Sequence, residues 1–239
     1  MEQAFARVYG TERSLICAGG ATLCIQTMLA LACKPGQKVI MSRNIHRAAI
    51  NAAALLDLEP VWIYPEQDAS VWFSGRYSPQ TVSEALQQHP DAAAVYITSP
   101  DYFGVISDLS GIAQVCRASD VPLLVDNAHG AHLKFLPGNL HPTDCAVTMC
   151  CDSLHKTLPA MTGAAALHIC DARYVPQAKR LMSIFGSTSP SYPIMLSCED
   201  VLRYAEGDAV KGFARTTQAL ERLRKLAVDK GFAVVQGTA

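Results

Sequence analysis

The chain has 239 residues, of which 50% are hydrophobic and 17% charged, and its formal net charge is -1. This length and composition are typical of one globular α/β domain, or of one such domain with a small appendage. The near-neutral charge and scattered basic residues argue against a nucleic-acid or anionic-membrane partner. No apolar run approaches the roughly 18 residues of a membrane span.

The nine cysteines stand at irregular spacings without a CxxC pair. This pattern argues against a zinc knuckle and against a disulfide framework. Most of them lie in apolar runs, where cysteine behaves as a small buried hydrophobe. Since the first residues also lack an apolar signal core, the sequence predicts a reduced, cytoplasmic compartment.

The predicted elements alternate along the chain. In order, they are a strand over 14–17, a helix over 23–33, a strand over 38–41, a helix over 46–56, a strand over 60–63, a helix over 79–88, a strand over 93–97, a helix over 110–118, strands over 122–125, 145–150 and 165–169, helices over 172–185, 192–206 and 208–230, and the start of a strand over 232–235. The strands are short and nearly all apolar. They predict an α/β fold, a mostly parallel sheet with helices on both faces.

Polar residues collect directly after the predicted strands. These segments are 19–22, 42–46, 98–100, 126–129 and 152–156. Ligands of parallel α/β sheets bind at the carboxyl ends of the strands. The sequence therefore predicts a functional site at this edge.

Asp126 follows an apolar strand, where a carboxylate binds a metal, orients a histidine, pairs with a cationic ring nitrogen, or caps a turn. His129 and His132 follow it in the stretch DNAHGAH. Gly130 interrupts a regular helix there, and no HExxH motif occurs, so a zinc site is disfavoured against polar residues in an ordered loop.

Lys156 stands at the end of the next strand, in SLHKTLPAMTG. A lysine amine is nucleophilic only when neutral, and its ordinary pKa is about 10.4. Partial burial lowers that pKa and frees the lone pair. Small and hydroxyl residues surround Lys156, which favours a lysine that forms a Schiff base with an aldehyde cofactor over a solvated surface lysine.

Two further features precede helices. Ala21 and Thr22 follow two glycines at a helix start, where free N–H groups suit a small phosphate, although the alternative is a plain turn. The nucleotide motifs GxGxxG and GxxxxGK[ST] are absent. His46 also stands at a helix start, where its ring can stack on a flat ring or simply occupy the first turn.

These features together match the needs of pyridoxal phosphate: a phosphate site, a stacking ring, a carboxylate for a ring nitrogen and a Schiff-base lysine. DNAHGAH followed by DSLHKTLPAMTGAA resembles the large domain of fold-type I pyridoxal-phosphate enzymes. The chain resembles more closely the bacterial ornithine/lysine/arginine decarboxylase family, through YITSPDYFGVISDL, FGSTSPSYPIMLSCED and the stretch from 19 to 52. The resemblance covers about residues 10 to 205.

The resemblance implies roles at the matching positions. Lys156 would form the Schiff base, Asp126 would pair with the pyridine nitrogen, and His46 would stack on the cofactor ring. The other implied cofactor-binding residues are Ala21, Thr22, Ser153, His155 and, beside Asp126, His129. Ser187 and Thr188 resemble the stretch that reaches a neighbouring subunit's phosphate in this dimeric fold.

The implied activity is pyridoxal-phosphate-dependent decarboxylation of a basic amino acid by a cytoplasmic homodimer or larger homo-oligomer. The large domain is common to decarboxylases, aminotransferases and lyases, so these reactions stay open. We predict a pyridoxal-phosphate-binding large domain over 1–206, with 207–239 forming a helix and the start of a further domain. The family's N-terminal segment and substrate domain are missing from this sequence, which leaves a catalytically silent fragment as a third alternative.

Overall fold

A computed structural model describes residues 1–67 and 75–234 of the chain. The strands in these ranges are β1 (Arg13–Cys17), β2 (Lys38–Ser42), β3 (Glu59–Ile63), β4 (Glu66–Gln67), β5 (Gly75–Arg76), β6 (Ala94–Thr98), β7 (Leu123–Asp126), β8 (Met149–Asp152) and β9 (Ala165–Ile169). The helices are α1 (Glu2–Tyr9), α2 (Gly20–Ala32), α3 (Arg47–Leu55), α4 (Pro79–Gln88), α5 (Leu109–Ala118), α6 (Leu154–Thr157), α7 (Val175–Phe185), α8 (Tyr192–Glu206) and α9 (Ala209–Asp229). Single 3₁₀ turns occupy Ala131–Phe135, Pro142–Cys145 and Ala172–Tyr174.

The main sheet has the strand order β1-β9-β8-β7-β6-β2-β3. Neighbouring strands from β3 to β8 pair in parallel, whereas β9 is antiparallel to both of its neighbours, β8 and β1. The carboxyl ends of β1, β2, β6, β7 and β8 therefore share one edge. This arrangement confirms the predicted mostly parallel sheet, and the short β4–β5 pair forms a separate ribbon.

Helices cover both faces of the sheet, as predicted. Met28 of α2 and Ala49 of α3 belong to one buried apolar cluster, and Ile112 of α5 belongs to the cluster on the other face. Burying a large aliphatic side chain of this kind stabilises a fold by about 1.5–3 kcal/mol. No helix in residues 1–67 or 75–234 combines the length and the apolar character that a bilayer crossing needs.

Local capping explains where several helices begin. Ser78 precedes α4 and its Oγ accepts a hydrogen bond from the Thr81 N–H at 3.2 Å, while Pro79 takes the first helical position. Asp108 precedes α5 and accepts from the Gly111 N–H at 2.9 Å. Such caps satisfy backbone N–H groups that have no intrahelical acceptor.

Two of the predicted strands are wrong. The strand predicted over 145–150 lies instead at Met149–Asp152, because Pro142–Cys145 closes a 3₁₀ turn after the His141 cap and Ala146 adopts a left-handed φ of 57°. Residues 232–234 of the strand predicted over 232–235 form no strand, and Val235 lies outside the described residues. The short elements α1, α6, β4 and β5 were not predicted from the sequence, and α2 begins at Gly20, three residues earlier than predicted.

Candidate functional site

A cavity of about 510 Å³ opens at the carboxyl edge of the parallel strands. Its lining includes eight of the ten residues that the sequence analysis proposed for the site: Ala21, Thr22, His46, Asp126, His129, Ser153, His155 and Lys156. These residues come from four different segments of the chain. The strand order brings the segments together, as the position after each strand predicts.

The side chains of Lys156 and His129 contact each other at this cavity, and Lys156 is exposed, so the partial burial expected for it from the sequence is not found. The Lys156 Nζ and the His129 Nε2 are 3.0 Å apart, within hydrogen-bonding distance. Burial lowers the pKa of His129, and the charge of nearby Lys156 lowers it further against an opposing effect of Asp126. His129 is therefore held in its neutral form near pH 7, and in the tautomer with the proton on Nδ1 its Nε2 accepts a hydrogen bond from the lysine.

Asp126 is the last residue of β7 and is only 1% exposed. Its Oδ1 accepts a hydrogen bond from the Ala128 N–H at 3.1 Å, and the Tyr96 hydroxyl donates to its Oδ2 at 3.3 Å. Burial and the neighbouring Asp126 carboxylate raise the pKa of Tyr96, which keeps that hydroxyl protonated as a donor. The carboxylate is thus fixed in orientation and lines the cavity.

The start of α2 lies beside the turn that follows the Lys156 segment. The Gly20 N–H donates to the Gly163 carbonyl at 2.8 Å, which anchors the helix start to the turn after α6. Ala21 and Thr22 fall in the first helical turn, where backbone N–H groups lack intrahelical acceptors and the helix dipole favours an anion. Ser153 Oγ lies 3.4 Å from His155 Nδ1, and both residues also line the cavity.

Gly163, whose carbonyl accepts this hydrogen bond from Gly20, has a left-handed backbone conformation with a φ of 98°. A Cβ at this position would lie 2.9 Å from the Ala18 carbonyl oxygen. We expect Gly163→Ala to destabilise the protein by about 1–3 kcal/mol and to weaken phosphate binding, because the helix start must move. Thermal unfolding and a phosphate titration would test this. Gly36→Ala is the matched control, since Gly36 also has a positive φ but no atom within 4 Å of its Cβ site.

His46 is the N-cap of α3. Its Nδ1 accepts a hydrogen bond from the Ala48 N–H at 3.1 Å, which fixes the ring and leaves the proton on Nε2. Tyr102 also lines the cavity, and its ring meets that of His129 edge-on, with centroids 5.7 Å apart. His46 thus starts the helix and lines the cavity, and its stacking on a flat ring stays a prediction.

Ser187 and Thr188 do not line this cavity. They are exposed in the segment between α7 and α8, where the Ser187 Oγ accepts from the Ser189 N–H at 3.1 Å. Their contact with a neighbouring subunit stays a prediction.

Several lining residues had no predicted role. Thr98 and Asn44 belong to predicted strand-end segments and Tyr102 follows one of them, but residue type alone gave no reason to select any of the three. Within the described ranges, no group of three or more His, Cys, Asp or Glu side chains is placed to hold a metal ion.

Comparisons with known proteins show which family and fold the chain resembles. The family model for the Orn/Lys/Arg decarboxylase major domain matches residues 1–238. The chain is 33% identical over 207 residues to the uncharacterized protein YaaO of Bacillus subtilis, covering 84% of this chain and 42% of that protein. It is 31% identical over 231 residues to an arginine decarboxylase of Bacillus anthracis, covering 94% of this chain and 46% of that enzyme.

Among solved structures, the constitutive lysine decarboxylase of Escherichia coli has the same fold. The TM-score is 0.78 at 23% identity, and the match covers 100% of this chain and 35% of that one. The chain thus spans less than half the length of these relatives.

Proposed function

The chain belongs to the Orn/Lys/Arg decarboxylase family, and from this premise we propose that it carries the site for pyridoxal-phosphate-dependent decarboxylation of a basic amino acid. The observation that carries the proposal is the convergence of Lys156, His129 and Asp126 at one cavity, beside an anion-binding helix start. Relatives named as arginine and lysine decarboxylases support ornithine, lysine or arginine as the substrate class.

The residues present fit this cofactor. The Thr98 Oγ1 is buried at the cavity without a hydrogen-bond partner among the described residues, so a polar ligand atom would satisfy it. The first turn of α2 offers backbone N–H groups to a phosphate, and Ser153 and His155 also line the cavity. Bound pyridoxal phosphate supplies an electron-withdrawing ring that stabilises negative charge on the substrate carbon.

Each side chain would contribute a separate function. The Lys156 amine would hold the cofactor aldehyde covalently and later move a proton. Asp126 would accept a hydrogen bond from the pyridinium N–H, for which its fixed and buried carboxylate is suited. The neutral His129, 3.0 Å from the lysine, would exchange a proton with it. The ring of His46 would lie against one face of the cofactor.

The proposal extends to partners and location. We propose that the protein works in the cytoplasm as a homodimer or larger homo-oligomer, in which Ser187 and Thr188 of one subunit approach the phosphate bound by the next. Their exposure and their position away from the chain's own cavity support that arrangement.

Reconstitution with pyridoxal phosphate, borohydride reduction and peptide mapping would test the proposal. We expect one modified lysine, Lys156, and we expect the reconstituted protein to release CO2 and the matching amine from arginine, lysine or ornithine. Transfer of the amino group to a keto acid without CO2 release would instead favour an aminotransferase. Cofactor bound at Lys156 without turnover of any amino acid would leave only the binding part of the proposal.

A further inference from the structure

A fully buried polar cluster surrounds Asp152, the last residue of β8. Asp152, Asn127, His141 and His168 are each 0% exposed. The Asp152 carboxylate lies 2.6 Å from Asn127 Nδ2, 3.1 Å from His141 Nε2 and 3.2 Å from His168 Nε2. Burial of a carboxylate is costly unless donors satisfy it, and three donors converge on this one.

The histidine tautomers follow from their other hydrogen bonds. The Thr143 N–H donates to His141 Nδ1 at 3.2 Å, so the proton of that ring is on Nε2, facing Asp152. The Ser14 hydroxyl lies 2.9 Å from His168 Nδ1 and can donate to it, which leaves the Nε2 proton of His168 for Asp152. Two ring N–H donors and one amide donor therefore surround a single negative charge.

Asn127 connects this cluster to the cavity. It directly follows Asp126, whose carboxylate lines the cavity, while Asp152 stands four residues before Lys156. The Asn127 N–H donates to the Cys151 carbonyl at 3.0 Å, and its side chain reaches Asp152 at 2.6 Å. The segments that carry Asp126 and Lys156 are thus joined where β7 and β8 end.

The position of the Asn127 side chain leaves one of its own polar atoms unsatisfied. Its Oδ1 is buried without a hydrogen-bond partner among the described residues, and a Cβ on Gly130 would come within 2.2 Å of that oxygen. An unpaired buried amide oxygen lowers the stability of the folded state. Residues that keep such a cost are found where position serves function.

We propose that Asp152 is a positioning residue that, through the side chain of Asn127, fixes Asp126 relative to Lys156. The inference rests on the proposed cofactor site. In the proposed arrangement, the carboxyl ends of β7 and β8 cannot separate or rotate without breaking the short hydrogen bond from Asn127 to the buried Asp152 carboxylate. Neither Asp152 nor Asn127 needs to contact the cofactor.

Asn127→Ala tests this, with Ser14→Ala as the matched control, because Ser14 contacts the same cluster through His168 but lies on β1. The readouts are the cofactor dissociation constant, the midpoint pH of the absorbance of the lysine-bound cofactor, and the melting temperature. We expect Asn127→Ala to weaken cofactor binding about tenfold or more and to shift the midpoint pH. Ser14→Ala should lower the melting temperature alone.

The inference is overturned if Asn127→Ala lowers only the melting temperature, or if both variants shift the midpoint pH alike, since the effect would then be general loosening. Asn127→Ser, which keeps a small polar side chain, replaces the alanine variant if that one does not fold, with the same expectations. If the wild-type protein itself forms no bond between Lys156 and the cofactor, the proposed function fails first. If the wild-type protein does form that bond and the variants bind the cofactor with unchanged dissociation constant and midpoint pH, only the positioning role of Asp152 and Asn127 is refuted.

Discussion

Replacing Lys156 with alanine is expected to abolish covalent attachment of pyridoxal phosphate and to reduce CO2 release by on the order of 10³-fold or more. The variant loses the amine that bonds the cofactor aldehyde and also a group that moves protons, and the latter alone contributes about 10²–10⁴-fold in enzymes. Borohydride reduction followed by intact-mass measurement, together with an amine-release assay, would record both losses.

The control for this variant is Lys179→Ala, which removes an exposed lysine of α7 away from the cavity. It should retain both the mass increase on reduction and the wild-type rate. A stoichiometric mass increase in Lys156→Ala would contradict the assignment and would move the covalent site to another lysine. A loss of binding in both variants would point to a folding defect instead.

The edge at which the site lies could be predicted because its signals are local. Short apolar strands followed at once by polar residues identify the carboxyl edge of a parallel sheet, and Asp126 and Lys156 both follow such strands. The pairing of β7 with β8, with Asp126 opposite Cys151, then brings the two segments side by side. The location of His46 could be predicted in the same way, because it stands at a predicted helix start that directly follows a strand.

The cluster around Asp152 could not be predicted in the same way. Its partners lie 11, 16 and 25 residues away on different elements, and no spacing rule relates them. The misplaced strand added to the difficulty: a strand ending at residue 150 leaves Asp152 in a loop, whereas β8 carries it into the interior. Burial of polar groups depends on tertiary packing that a local pattern does not contain.

Asp152→Asn is expected to lower the free energy of unfolding by about 3 kcal/mol at pH 7, because an amide of the same shape cannot accept from all three buried donors. Burial raises the pKa of Asp152, but the adjacent His141 and His168 outweigh it and hold that pKa well below the ordinary value. The unfolded-state pKa is about 3.9, above the folded one. The carboxylate's contribution is therefore present above about pH 4 and is lost as the pH falls toward the folded-state value.

Denaturant unfolding of wild type and variant across this range would measure the effect, with the stability difference largest near pH 7 and narrowing in acid. Asp91→Asn is the control, because Asp91 forms an exposed ion pair with Lys38, at 3.0 Å, that water screens. It should change stability little at any pH. An equally small change in the free energy of unfolding for Asp152→Asn would mean that His141, His168 and Asn127 find other acceptors. Asp152 would then not stabilise the buried cluster beside the Lys156 segment.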